Sequence, residues 1–256
     1  MIPIGRWILR TAARSELVSM SRVQLYRQIC WGTDSLLPRR QRKHSGKELK
    51  NAFLAEKLQG VELGIWTMSA AALNFLEDEI HRHKPTCVLE FGSGVSTACL
   101  ARVMADIHAV DSRIRIYSFD QDPKCIQETS RLLDITGTSS SVRLVHSPLM
   151  RQVIEQIETI CYTPPDSRLL DEIRSAHPDF RLIDGPSAEV GARFGTLPLA
   201  HSVCKEGARF YLDDALRDSE LQTVQRWNRL GYVDVEGLLP TEKGLLLGVI
   251  HQNGSA

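Results

Sequence analysis

The stretch Thr86–Thr97, TCVLEFGSGVST, decides how the rest of the chain is read. A short apolar run, Cys87-Val88-Leu89, leads to an acid, Glu90, then to Gly92-Ser93-Gly94 and to residues suited to a helix start. That order is strand, tight turn, helix N-terminus. Glycines in such a turn let a ligand approach bare backbone, and the helix start offers unpaired N–H groups. An open parallel sheet binds nucleotide-like ligands at a turn of this kind.

Outward from this turn, strands and helices alternate. A helix is predicted over 68–84, with Ala71, Ala72, Phe75, Leu76 and Ile80 on one face and Pro85 as its stop. After the turn come a helix from about Ser96 to Asp106, a strand Arg115–Phe119 ending at Asp120, and a helix opened by Pro123. Val142–His146 reads as the next strand. The long crossover after it contains Thr163-Pro164-Pro165-Asp166 and is expected to split into two helices. Phe180–Ile183 forms a strand ending at Asp184-Gly185-Pro186. A helix follows over about Leu197 to Lys205, then a strand Arg209–Leu212 ending at Asp213-Asp214, then a helix carrying Leu221, Val224 and Trp227. The tail breaks the alternation. Tyr232–Val235 and Leu245–Ile250 are separated by a loop too short for a helical crossover, so they are expected to pair antiparallel.

Composition bounds the rest. With 256 residues, 43% of them hydrophobic, the chain can fill one α/β core with an extension, divided at 1–50 and 51–256. Residues 1–50 hold eleven Lys/Arg against three Asp/Glu, an excess of eight positive charges that the acidic remainder cancels. Ile4, Trp7, Ile8, Leu17, Met20, Val23 and Tyr26 follow near-helical spacing with arginines between. Two readings of this arm stand: a peripheral helix on a membrane surface, or an amphipathic helix packed on its own domain. The six cysteines form no C-x-x-C pair, which argues against structural zinc and against a disulfide framework, and fits a reducing, cytoplasmic compartment. No apolar run nears the roughly 20 residues of a membrane span. Arg6, Arg10 and Arg14 interrupt any signal-peptide core.

From about Trp66 to Ile250 the pattern resembles the class I S-adenosylmethionine-dependent methyltransferases, closest to small-molecule and sugar O-methyltransferases. The resemblance implies a doubly wound, mostly parallel seven-stranded sheet ending in an antiparallel hairpin, a Rossmann-like methyltransferase fold. Glu90-Phe91-Gly92-Ser93-Gly94 looks like that family's first motif, with Ser96 where a third glycine is usual. It implies that Glu90, Gly92, Ser93, Gly94, Ser96 and Thr97 hold the methionine end of S-adenosyl-L-methionine. Asp120, followed by Gln121, would take the ribose hydroxyls, with Asp122 competing for that role; an acceptor-only carboxylate suits a diol. His146, Ser147 and Pro148 would pack the adenine, and Trp66, Thr67 and Met68 would close over the cofactor or serve ordinary packing.

A second constellation lies at the same edge. Asp184 ends one strand and Asp213 and Asp214 end its neighbour. Carboxylates converging there repel, and a hard divalent cation would relieve them. This looks like the Mg2+ site of catechol-type and macrocin-type O-methyltransferases, with the ion gripping an acceptor hydroxyl. The alternative is that Asp213-Asp214 caps the next helix and Asp184 orders its loop. Asp184 is the first candidate for positioning the acceptor or accepting its proton, and His146 the second. The acceptor is expected to be a small molecule or glycan, with no DNA partner. Two other functions remain open at this point. One is an NAD(P)-dependent oxidoreductase, against which Thr97 stands where G-x-G-x-x-G needs its third glycine. The other is a non-catalytic module binding cofactor or nucleic acid through the basic arm, where few aromatics interleave the cations. The sequence leaves oligomeric state open.

Overall fold

In the computed structural model the quoted stretch folds as strand β1 (Val88–Phe91), a turn, and helix α3 (Val95–Ile107). The structure describes residues 48–251 except 65, 109–112, 187–191, 240 and 242. Of the basic arm over 1–50, residues 1–47 lie outside the described residues. The Asn74 side chain donates to the Glu48 carbonyl (2.9 Å) and accepts from the Lys50 amide (2.9 Å).

Before the turn stand α1 (Ala52–Lys57) and α2 (Ala70–His83). Ser69 caps α2 by accepting from the Ala72 amide, and Lys84 closes it in a left-handed conformation ahead of Pro85. After α3 come β2 (Ile116–Asp120), α4 (Pro123–Thr136) and β3 (Val142–His146). Asp122 caps α4, Pro123 sits in its first turn, and Gly137 ends it at φ +69°.

The crossover after β3 departs from expectation. In place of two helices there is a β-hairpin, β4 (Leu149–Ile154) and β5 (Ile157–Tyr162), and a single helix, α5 (Ser167–Ala176). The hairpin turns through Glu155 and Gln156, both at positive φ (49° and 62°). Two positive φ values are what a two-residue hairpin loop needs, but glycine or asparagine usually supplies them. With Glu-Gln there, the turn has no sequence signature.

The remaining elements are β6 (Phe180–Ile183), a 3-10 turn (Ala192–Gly195), α6 (Thr196–His201), β7 (Arg209–Leu212), α7 (Asp218–Arg229), β8 (Val233–Leu239) and β9 (Leu245–Ile250). Helix α6 stops at His201, short of the expected Lys205.

The main sheet runs β3-β2-β1-β6-β7-β9-β8. Its first five strands are parallel, while β9 inserts antiparallel between β7 and β8. Alternating side chains divide the core between the two faces. Leu89 and Phe91 of β1 join Ile173, Leu197 and Trp227 on one side. Val88 joins Phe75, Leu100 and Leu133 on the other. The chain reverses direction across the sheet between β1 and β6, the position where such sheets open a crevice at their carboxyl edge.

Candidate functional site

Two glycines shape the crevice in different ways. Gly92 has φ +96°, and a Cβ there would lie 2.7 Å from the Gly185 amide nitrogen. Its bare face is therefore filled by the end of β6. The Asp184 and Gly185 amides both donate to the Phe91 carbonyl, at 2.8 and 2.7 Å, which locks the two strand ends together. Gly94, at φ +159°, has no atom of the described residues within 4 Å of where its Cβ would be. Gly94 is thus the position that offers open backbone, at the start of α3.

Glu90 lies behind this turn, fully buried. Ser96 Oγ donates to one carboxylate oxygen (2.7 Å), and Thr97 Oγ1 and Ser118 Oγ donate to the other (2.6 Å each). Thr97 Oγ1 also accepts from the Gly94 amide (3.0 Å). Ser96, where a third glycine is usual, is therefore an anchor for Glu90. Burial pushes the Glu90 carboxyl up to about 7, against the opposing pull of those three hydroxyls. Glu90, Ser96 and Thr97 hold the turn's shape from inside.

Asp120, at the tip of β2, accepts from the Ser93 amide (2.8 Å) and hydroxyl (3.2 Å) on one oxygen and from the Asp122 amide (2.8 Å) on the other. Burial raises its pKa. Asp122 spends its side chain on the Lys124 amide as the cap of α4. Gln121 lies between them, and its carbonyl faces His146 Nε2 at 3.2 Å. His146 pairs in register with Asp120 on edge strand β3 and is exposed. β2 and β1 intervene between it and β6. At about 4.8 Å per strand its backbone stands roughly 14 Å from that of Asp184. The structure does not bring the two catalytic candidates together. Ser147 donates to the Thr163 carbonyl (2.8 Å), and the Pro148 carbonyl accepts from Thr163, so this corner is tied to the end of the hairpin.

The three lead-in residues diverge. Met68 is packed in the core and the Trp66 side chain is 93% exposed. The Thr67 carbonyl accepts from Lys243 Nζ (3.2 Å).

Asp184, Asp213 and Asp214 do converge. One carboxylate oxygen from each lies within 4.8 Å of the others. Neither residue of the pair caps α7, whose N-cap is Arg217 with no side-chain bond. Asp214 sits at φ +58°. Burial first, then repulsion from Asp214, pushes Asp184 up to about 6, with Arg193 and Lys243 opposing. Asp213 is raised further by burial and by both neighbouring carboxylates.

The cluster is already served by cations. Arg193, 4% exposed, donates through Nη2 to Asp214 Oδ2 (2.8 Å) and reaches Asp184 Oδ1 at 3.4 Å. Its Nη1 donates to the Asp213 carbonyl (2.7 Å). Arg217 Nη1 lies 3.1 Å from Asp214 Oδ2 and Lys243 Nζ 3.7 Å from Asp214 Oδ1. Magnesium demands near-octahedral oxygen coordination at about 2.0–2.1 Å. An ion bridging Asp184 Oδ1 and Asp214 Oδ2 would compete with Nη2 for both oxygens. Asp213 Oδ2 and Asp214 Oδ1 have no hydrogen-bond partner among the described residues.

Two members of the site escaped the sequence reading. Tyr162, at the end of β5, stacks on Phe91 (ring centroids 5.7 Å apart). A Cβ on Gly185 would meet its hydroxyl oxygen at 2.4 Å. Among the described residues that buried hydroxyl has no hydrogen-bond partner, with Asp120, Arg193, Asp184 and Glu90 as its charged surroundings. Arg193 stands on the 3-10 turn between β6 and α6. Tyr162 was lost with its strand, and Arg193 belongs to no periodic pattern.

No protein-family model matches the chain, and no curated protein matches it in sequence. Solved structures do match in fold. The cofactor-bound protein Rv0187 from MTB superposes with a TM-score of 0.55 at 18% identity, over 78% of this chain and 88% of that one. The O-methyltransferase from Bacillus cereus in complex with SAH gives 0.54 at 16% identity, over 89% and 99%. The O-methyltransferase TomG from Streptomyces achromogenes, involved in tomaymycin synthesis and solved with SAM, gives 0.51 at 15% identity, over 84% and 91%. The chain has the Rossmann-like methyltransferase fold.

Proposed function

We propose that this protein is an S-adenosylmethionine-dependent methyltransferase that methylates an oxygen of a small molecule. The observation that carries the reading is the pairing of an open backbone at Gly94 with the Asp120 tip one strand away, on a sheet whose β9 inserts between β7 and β8. Two of the fold neighbours were solved with this cofactor or its demethylated product. An oxidoreductase of the nicotinamide type has no such support.

The residues fit the cofactor. Gly94 leaves room for it beside the α3 N-terminus, and the Tyr162 hydroxyl is a buried donor awaiting an acceptor. Asp120 has lone pairs beyond those used by Ser93 and Asp122, enough to receive a diol. Ser147 and Pro148 form the adenine end, with His146 beside them as a wall residue. Glu90, Ser96 and Thr97 fix the turn and Gly92 seats it on β6. When bound, S-adenosylmethionine supplies a methyl group already activated by its sulfonium.

The protein's part is alignment and one proton. Asp184 has the most accessible carboxylate of the three, its side chain 19% exposed. It is the group to orient the acceptor hydroxyl and take its proton, and with a pKa near 6 it is ionised at neutral pH. A phenol and a sugar hydroxyl are both candidate acceptors.

Calorimetry tests the reading. Titration with S-adenosylhomocysteine should give saturable heat and NAD none. Heat from NAD alone would transfer the site to the oxidoreductases.

A further inference from the structure

We infer that Arg193 is the resident cation of the Asp184–Asp213–Asp214 cluster and that this chain dispenses with a divalent ion there. The consequence for catalysis rests on the methyltransferase reading; the geometry does not.

The guanidinium is a rigid fork with a permanent charge. Here it ties together two strand ends. Nη1 takes the Asp213 carbonyl at 2.7 Å, and Nη2 takes the Asp184 carbonyl and Asp214 Oδ2, with Asp184 Oδ1 at 3.4 Å. The turn that carries Arg193 is fixed in place. Thr196 Oγ1 donates to its carbonyl (2.7 Å), and Trp227 Nε1 donates to the carbonyl of Phe194 (2.9 Å). A Cβ on Gly195 would be 2.4 Å from Cys161 Cβ, so the turn carrying Arg193 is seated against β5. Displacing the guanidinium would leave a buried charge without its partners.

Charge agrees with geometry. Three carboxylates face three cations, Arg193, Lys243 and Arg217. Glu220 adds a fourth carboxylate within electrostatic range of Arg193. A dication would enter a cluster already near neutrality. Among the described residues, Asp213 Oδ2 and Asp214 Oδ1 remain buried without a hydrogen-bond partner. They are the oxygens a hard ion would seek, so metal binding has to be measured directly.

Arg193 is thus a positioning residue: it sets Asp184 and supplies positive charge that a bridging ion would otherwise bring. Chelator-treated full-length protein, titrated with Mn2+ and followed by electron paramagnetic resonance, should bind no ion at the cluster. Mg2+ should leave its melting temperature unchanged. Arg193→Gln should gain one Mn2+ per chain, while Arg193→Lys, which keeps the charge, should not. Mn2+ binding to the parent protein that Asp213→Asn abolishes would overturn the inference, as would a folded Arg193→Gln protein that takes no Mn2+. If Arg193→Gln does not fold, the parent titration decides. S-adenosylhomocysteine calorimetry on the metal-free parent separates the two ideas. Heat there upholds the methyltransferase reading whatever Mn2+ does, and silence there removes that reading while the metal result stands.

Discussion

At the scale of single residues, this site is held by buried polar groups whose protonation and satisfaction can be changed one at a time. The Tyr162 hydroxyl has no hydrogen-bond partner among the described residues, so Tyr162→Phe removes a buried polar group that gains nothing from them. An unsatisfied buried donor costs about 1–3 kcal/mol. The variant should therefore melt at the same temperature or higher, while binding S-adenosylhomocysteine more weakly by about tenfold, one lost hydrogen bond. Weaker folding together with unchanged affinity would place Tyr162 in the core alone. Glu90 gives a pH test. Its folded pKa, about 7, lies above the ordinary 4.5, so the native chain keeps a proton that the unfolded chain has released. Stability is then greatest below pH 4.5, falls as pH rises towards 7, and levels above it. The span amounts to about 3 kcal/mol at 1.36 kcal/mol per pKa unit. Glu90→Gln should erase this slope, so urea unfolding at pH 5 and pH 8 should show the variant gaining on the parent. An equal difference at both pH values would mean Glu90 is ionised throughout. Glu90, Asp120 and the three clustered aspartates were legible because each lies near or just past the carboxyl end of a strand. Tyr162 and Arg193 were not, since a lone tyrosine in an unrecognised hairpin and a lone arginine in a short turn carry no periodicity.

Among the elements, the β1–α3 turn does two separable jobs, one per glycine. Gly92→Ala would set a Cβ 2.7 Å from the Gly185 nitrogen and 2.9 Å from the Asp184 carbonyl carbon, both backbone atoms that cannot step aside. Overpacking of that kind costs about 1–3 kcal/mol, and a strained φ adds a similar amount. Gly94→Ala meets open space, so strain alone, about 1–3 kcal/mol, opposes folding. Its methyl points where the cofactor is proposed to lie. Denaturant unfolding should rank Gly92→Ala as the less stable protein, while calorimetry on folded Gly94→Ala should show the loss of S-adenosylhomocysteine binding. The same ranking in both measurements would merge the two jobs. The strand-turn-helix unit could be read because glycine and the apolar run mark it. The β4–β5 hairpin could not, because Glu155 and Gln156 adopt positive φ without being residues that favour it. Asp166, the cap of α5, was visible only as part of Thr-Pro-Pro-Asp, which punctuates a chain without saying what precedes it.

For the whole molecule, the order β7-β9-β8 makes the last strand an interior one. The sequence announced the antiparallel pair through its short connecting loop, but not that β9 would enter between β7 and β8. Loop length fixes the relative direction of two strands and leaves their neighbours free. The placement has a consequence for folding. β9 bonds to both neighbours, and it buries Leu245, Leu246, Leu247 and Ile250 on the two faces of the sheet. At about 1.5–3 kcal/mol for each buried aliphatic side chain, these four contribute roughly 6–12 kcal/mol. That is comparable with the whole stability of an ordinary domain, about 5–15 kcal/mol. Removing residues 245–256 should therefore abolish cooperative unfolding, although every residue of the proposed cofactor crevice is still present. Far-ultraviolet circular dichroism during heating checks this: the parent should give one sigmoidal transition and the shortened chain a gradual slope. A sharp transition in the shortened chain would mean that β1, β2, β3, β6 and β7 form a folding unit without β9. The crevice would then owe its shape to the parallel half of the sheet alone.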